Sequence, residues 1–146
     1  MTIHTASEGI TLARKLENDS AKFYEDMSRK YTQDAETLLS FSRENKKYII
    51  QIDRAYYGVI TDAIEGGYAF NLDPDNYTFK TGIPEKASYA DILKQAAAME
   101  DKITAFYTDA AEQSRALMAD VPRTFLLVVK KREARRTKLQ QLLDSH

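Results

Sequence analysis

Apolar residues recur at helical spacing in two stretches of the first half of the chain. The capping-box pattern Thr5-x-x-Glu8 precedes the first stretch, which keeps its apolar residues on one side of a helix. The second stretch follows the turn residues 32–34 and ends at the paired glycines 66–67, which are typical of a helix C-terminus. We therefore predict a helix over about residues 6–31 and a second helix antiparallel to it.

Two further helices are predicted in the second half of the chain. Ser88-x-x-Asp91 is another capping box and opens a helical stripe that continues to Ala110. Asp120, with Pro122 in the first helical turn, opens the last helix. The apolar side of this last helix is assigned to Val129, Leu139 and Leu143.

The segment between the two helix pairs has no helical period. It is rich in turn residues, including Pro74 and Pro84, and is too long for a simple turn. Loops of this length in compact domains are usually packed or functional. We predict that residues 67–87 cross the outer surface of the helices and help to form a dimer interface. The side chains expected to anchor this crossover are Tyr68, Phe70, Tyr77 or Phe79.

The two halves of the chain also share a sequence pattern. The segment from Leu16 to Tyr24 reads apolar, Glu, five residues, Phe-Tyr, and the segment from Met99 to Tyr107 repeats it 83 positions later. A second match aligns Leu38-Leu39 with Leu126-Leu127, now 88 positions apart. Such self-similarity predicts two helix pairs that bury their apolar stripes against each other in one all-α four-helix bundle.

Composition bounds the class of protein. The chain has 146 residues, enough for one domain over residues 1–146 with a sizeable core. Its 21 Lys and Arg residues balance 22 Asp and Glu residues, which argues against binding to nucleic acid or to a membrane surface. The basic run Lys130-Lys131-Arg132, with Arg135 and Arg136, fits a solvated helix face, with an acidic partner as the alternative. With no cysteine, no basic leader and no long apolar run, we expect a cytoplasmic protein.

Three glutamates interrupt the predicted apolar stripes. Glu17, Glu100 and Glu133 lie on the first, third and fourth helices among apolar neighbours. A buried carboxylate is costly unless it is paired, so three of them in one core indicate a metal site or a salt-bridged cluster. The alternative is that each glutamate lies at the edge of its stripe and reaches the solvent. The matching places of Glu17 and Glu100 in the internal repeat favour the buried arrangement.

The repeated Glu and Phe-Tyr pattern, with the long crossover, resembles the rubrerythrin-like branch of the ferritin-like superfamily. The resemblance covers nearly the whole chain and implies a ferritin-like bundle that holds two irons through single glutamates and two Glu-x-x-His motifs. Glu17 and Glu100 would match the single glutamates, and Glu133 would match the Glu of the last motif. The chain has no cysteine and therefore no rubredoxin domain, so a peroxidase of this kind would need a separate electron donor.

The remaining ligand positions depart from the family pattern. Asn45-x-x-Tyr48 stands where the second helix has Glu-x-x-His, and Arg136 stands where the last helix has its His. An arginine cannot coordinate a metal, asparagine is a weak ligand, and tyrosine binds iron well only as a phenolate. An alternative register would place Glu44 and Lys47 in the second-helix positions, but Lys47 would repel a cation.

Two interpretations follow from these departures. In the first, Arg136 neutralises the three glutamates, Asn45 and Tyr48 fill the site, and no cofactor is bound. The protein is then a structural or interaction module, and we expect it to be a homodimer. In the second, the glutamates hold iron or manganese, and the protein is an oxidoreductase that reduces peroxide or oxidises ferrous iron. The missing histidines favour the first interpretation.

Overall fold

In this computed structural model the described residues are 2–59, 68–115 and 120–145, and most of them are helical. The all-α prediction is confirmed to this extent. A short antiparallel ladder of two strands, which the sequence did not indicate, pairs Ile3 with Leu72. The elements are β1 (Ile3–Thr5), α1 (Ala6–Lys30), α2 (Ala35–Val59), β2 (Tyr68–Leu72), α3 (Tyr89–Ser114) and α4 (Asp120–Asp144). Within these ranges no helix combines the length and the apolar character needed to span a membrane.

Both predicted capping boxes are present. The Glu8 backbone N–H donates to the Thr5 hydroxyl at 3.1 Å, and the Thr5 N–H donates to the Glu8 carboxylate at 3.0 Å. Ser88 and Asp91 make the same reciprocal pair at 3.1 and 3.3 Å. These bonds satisfy N–H groups that a helix leaves unpaired in its first turn, so they fix where α1 and α3 begin.

The helices pack in two pairs. α1 lies along α2, α3 lies along α4, and α2 also packs on α4, while α1 approaches α3 less extensively. The crossover begins beside the start of α1, through the β1–β2 pairing, and reaches the other end of α1 before α3 starts. There Lys30 Nζ donates to the carbonyl oxygens of Pro84 and Glu85, each at 2.8 Å. The crossover therefore traverses the full length of the first helix.

Aromatic side chains anchor the crossover, as predicted. Phe70 and Tyr77 are each only 4% exposed, and Phe79 packs against the core while partly buried. The Tyr77 hydroxyl donates to Asp109 on α3 at 2.6 Å. The side chain of Tyr68 lies outside the described part of the structure. The crossover is thus a packed layer over the helices.

Gly9 is a position where the crossover packs closely on the helix beneath it. A Cβ atom at Gly9 would lie 2.7 Å from Cδ2 of Phe70 and closer still to its Cε2. We predict that Gly9→Ala lowers the free energy of unfolding by about 1 to 3 kcal/mol, because a buried ring cannot shift freely. Helix propensity alone would predict that the same change raises the free energy of unfolding by about 1 kcal/mol.

Gly82→Ala is the matched control for this prediction. A Cβ atom at Gly82 would have no neighbour within 4 Å, so the free energy of unfolding of the Gly82→Ala protein should not fall. Urea denaturation followed by circular dichroism measures both variants. A stabilised Gly9→Ala protein would show that Phe70 does not pack against α1 as described.

Candidate functional site: a buried charge cluster

The buried side of α4 follows a regular alternation of three-residue and four-residue steps. Residues at this spacing lie on one side of a helix and form a continuous buried stripe, or seam, against the neighbouring helices. Two arginines are part of this seam. The seam consists of Val121, Phe125, Val128, Arg132, Arg135, Leu139 and Leu142. Val129 and Leu139 are buried as predicted, but the prediction was wrong in placing Glu133 on the buried face and in assigning Arg132 and Arg135 to the solvent.

The residues expected at the site separate into two groups. Glu17, Glu100, Asn45 and Tyr48 are all buried, and they come from the middle of three different helices. Glu133 is exposed on α4. The second-helix register with Asn45 and Tyr48 is confirmed.

Arg136 also lies outside the core, so the prediction that it neutralises the glutamates is wrong. Its side chain is 37% exposed and pairs with Asp101 of α3, with 3.2 Å between Nε and Oδ1. The reason is helical geometry, because residue 136 is one position beyond the buried seam and points toward the outer edge of α3. This surface ion pair contributes little to stability.

Arg132 is the cation that joins the two buried glutamates. Its Nη1 donates to Oε1 of Glu100 at 2.7 Å, and its Nη2 donates to Oε2 of Glu17 at 2.6 Å and also to Oε1 of that residue. All three side chains are fully buried. One guanidinium thus bridges carboxylates from α1 and α3 at the centre of the bundle.

Arg135 provides a second cation one helical turn later. Its Nη1 donates to Oδ1 of Asn45 at 2.6 Å, its Nη2 donates to the carbonyl oxygen of Phe41 at 3.1 Å, and Nη1 is 3.6 Å from Oε2 of Glu100. The guanidinium also faces the rings of Phe41, Tyr24 and Tyr48, with centroids at 4.8, 5.3 and 5.6 Å. Aromatic faces stabilise a cation that has left water. The cluster of two glutamates and two arginines is therefore neutral in formal charge.

Two tyrosines connect the glutamates across the internal repeat. Tyr24 and Tyr107 each follow a buried glutamate by seven residues, and both are fully buried. The Tyr24 hydroxyl donates to Oε2 of Glu100 at 2.5 Å. Among the described residues the Tyr107 hydroxyl has no hydrogen-bond partner, although burial and the charge of Glu17 both raise its pKa. The tyrosine of each half thus faces the glutamate of the other half, but only Tyr24 forms the hydrogen bond.

The two glutamates differ in their electrostatic surroundings. Burial raises the pKa of Glu17 and is only partly offset by Arg132. Burial also opposes ionisation of Glu100, but Arg132, Arg135 and the Tyr24 hydroxyl together outweigh it and lower the pKa of that carboxyl. Burial acts against the charge of Arg132, yet the two carboxylates raise its pKa further. The two arginines thus favour the ionised form of Glu100 more than that of Glu17.

The donor set does not fit a pair of metal ions. Arg132 lies between the two carboxylates and cannot coordinate a metal. Burial raises the pKa of Tyr48 to about 12, so this residue stays a phenol rather than the phenolate that iron prefers. No three His, Asp or Glu side chains within the described ranges are grouped so that they could hold a metal ion.

Shifting the alignment of the two halves by one residue matches the buried cluster residues of α2 with those of α4. In the core Leu38, Asn45 and Tyr48 of α2 are equivalent to Phe125, Arg132 and Arg135 of α4, an offset of 87 rather than 88 positions. Leu126 and Leu127, on which the first alignment depended, are about half exposed. The three-four spacing of Val121, Phe125 and Val128 is the signal that would have identified the two arginines.

No protein-family model, curated protein or solved structure matches this chain.

Proposed function

We propose that this chain is a ferritin-like bundle of the rubrerythrin type in which a salt bridge takes the place of the metal site. We further propose that it acts as a structural or interaction module and not as an enzyme. Two antiparallel helix pairs joined by a long crossover are typical of ferritin-like bundles. The packing of α1 on α2 and of α3 on α4, with a crossover that returns along α1, supports this topology.

The positions of the polar residues support the same family. Glu17 and Glu100 correspond to its single glutamates on the first and third helices. Asn45-x-x-Tyr48 and Arg132-x-x-Arg135 correspond to its two Glu-x-x-His motifs, on the second and fourth helices. Four of the six family ligands are thus replaced, and two of the replacements are permanent cations.

One observation carries the proposal of a non-metal core: the Arg132 guanidinium donates to both glutamates in a fully buried site. Each metal ion of a dinuclear site brings positive charge to its carboxylates, and here the guanidinium supplies that charge as part of the chain. Metal binding would require both displacing this hydrogen-bonded side chain and tolerating a second guanidinium close by. The homodimer and the cytoplasmic location expected from the sequence stay predictions.

Metal analysis of the purified protein tests the proposal. Protein expressed with added iron should contain well under one tightly bound transition-metal ion per chain and should lack the near-ultraviolet absorption of an oxo-bridged diferric centre. Because a guanidinium at this position prevents coordination, the Arg132→Glu/Arg135→His variant should bind more iron or manganese than the parent, since it restores a buried Glu-x-x-His motif.

Arg136→His is the matched control for this variant. It also creates a Glu-x-x-His motif, with Glu133, but on the exposed side of α4, so its metal content should stay at the parental level. Circular dichroism verifies that each variant is folded. Stoichiometric iron in the parent protein, with the oxo-bridge absorption, would contradict the proposal and favour the iron oxidoreductase.

A further inference from the structure

Two neighbouring leucines are exposed on the outer side of α4. Leu126 is 49% exposed and Leu127 is 51% exposed, whereas the buried seam of the same helix is already complete without them. Arg123 precedes them by about one turn, and Lys130 follows them by about one turn. We call Leu126, Leu127 and the four cations around them, which are Arg54, Arg115, Arg123 and Lys130, the dileucine surface.

Grooves flank the leucines on both sides. One groove of about 620 Å³ has Pro122, Leu126 and Leu127 at its apolar floor. A second groove of about 390 Å³ extends from Leu127 to Ala55 on α2. The two shallow grooves share Arg123 and Leu127, so they lie side by side along the first half of α4.

The charges around these grooves are mostly of one sign. Arg115, Arg123 and Lys130 line the larger groove, and Arg54 and Arg123 line the smaller one, where Asp120 is the acidic lining residue. Arg115 pairs with Glu112 at 3.2 Å and Arg123 with Asp120 at 4.0 Å, but all four side chains are largely exposed. Exposed pairs of this kind contribute little, so the cations remain able to bind other carboxylates.

We propose that the dileucine surface binds an acidic amphipathic helix of a protein partner. Arg123 and Lys130 are seven residues apart, and the leucines lie between them on the same side of α4. A partner helix with carboxylates at the same separation and apolar residues between them would match both the charges and the apolar floor. Burial of the leucines supplies affinity, and the charge pairs fix orientation and speed association.

The charge pattern favours this occupant over a second copy of the chain. A twofold contact through the dileucine surface would place Arg123 and Lys130 of one protomer near the same cations of the other. Like charges in an interface oppose association.

This inference deepens the proposed function, because it names the partner class of an interaction module. The proposed function and this inference are tested by separate measurements. Metal content tests the core, whereas peptide binding tests the exposed surface of α4, so failure of one proposal can be told from failure of the other.

Binding of a synthetic peptide tests the inference. The probe is a capped helical peptide in which two leucines are bracketed by glutamates seven residues apart, and the control peptide has glutamine at the glutamate positions. Titration calorimetry and leucine-methyl NMR follow binding to the full chain. We expect the acidic peptide to shift the methyl signals of Leu126 and Leu127 and to bind at least about tenfold more tightly than the glutamine peptide.

Variants of the chain locate the binding surface. Leu127→Glu and Lys130→Glu should each weaken binding about tenfold or more, while Lys138→Glu should leave it unchanged. Lys138 is an exposed cation of the same helix that lines neither groove, so its replacement changes the net charge as much as Lys130→Glu does. All three positions are exposed, and circular dichroism should show unchanged folding.

Three results would overturn the inference. The first is no binding of the acidic peptide, or binding that Leu127→Glu leaves intact. The second is a dimer in sedimentation analysis that Leu127→Glu converts to monomers, which would assign the surface to a second copy. The third is binding to phosphatidylserine-containing vesicles with no binding of the peptide, which would assign it to a membrane.

Discussion

Arg132→Met should lower the free energy of unfolding by about 3 to 5 kcal/mol at neutral pH, because removing one partner of a buried ion pair leaves the other charge uncompensated. Here the loss of a single guanidinium leaves Glu17 and Glu100 buried, with Arg135 as their remaining cation in the cluster. Methionine keeps a long apolar side chain in the space, so the effect reports the charge more than a cavity. Urea denaturation followed by circular dichroism measures the loss.

Arg136→Met is the matched control, since it removes the same charge from the same helix at an exposed position. Its pair with Asp101 is largely exposed, so the change should cost at most about 1 kcal/mol. Equal losses in the two variants, or no loss in Arg132→Met, would show that α4 is rotated relative to the arrangement described here.

Acid should partly restore the Arg132→Met protein. Burial already raises the pKa of Glu17 in the presence of Arg132, and removing this cation raises the folded-state pKa values of both glutamates. A group with a raised folded pKa contributes stability below its unfolded pKa and loses it as the pH rises through the folded pKa. The variant should therefore be closest to the parent below about pH 4.5 and least stable at neutral pH.

The helices were largely predictable from local signals. The capping residues Thr5 and Ser88 determine where two helices begin, and both act as the sequence indicated. The aromatic residues of the crossover were predicted to anchor it because a long segment must bury something to stay packed. The β1–β2 ladder could not be predicted, since the three residues of β1 are too few to carry a periodic signal.

The sequence indicated a salt-bridged core but not its composition. It predicted Glu17, Glu100 and Glu133 around Arg136, whereas the structure places Glu17 and Glu100 with Arg132 and Arg135. The error lay in the alignment of the two halves, which matched Leu126-Leu127 with Leu38-Leu39 and so placed Glu133 and Arg136 where the core has Arg132 and Arg135. In the structure α4 buries Arg132 against Glu17 and Glu100 and leaves Leu126 and Leu127 about half exposed.

The burial of Arg132 and Arg135 accounts for the exposed leucines of the dileucine surface. Once Arg132 and Arg135 occupy the seam, helical geometry turns Leu126 and Leu127 outward. The buried charge cluster and the exposed leucines are thus two consequences of one rotation of α4.

Glu100→Gln should lower the free energy of unfolding by about 3 kcal/mol or more at neutral pH, because it leaves Arg132 and Arg135 with one carboxylate between them. Glu17→Gln should cost less, about 1 to 3 kcal/mol, because Glu17 contacts only one of the two guanidiniums. Glu133→Gln is the control at an exposed glutamate and should be nearly neutral. Urea midpoints of the three variants and the parent give these differences.

The pH dependence separates the two buried glutamates. Glu100 has a lowered folded pKa, so its contribution is present above the unfolded pKa and is lost as the pH falls through the folded value. The stability difference between the parent and Glu100→Gln should therefore shrink in acid. Glu17 has a raised folded pKa, so the difference between the parent and Glu17→Gln should instead grow as the pH falls toward about 4.5. Parallel pH profiles for the two variants would contradict the arrangement in which Glu100 interacts with both guanidiniums and Glu17 contacts only that of Arg132. They would mean that the two carboxylates interact equally with the guanidiniums.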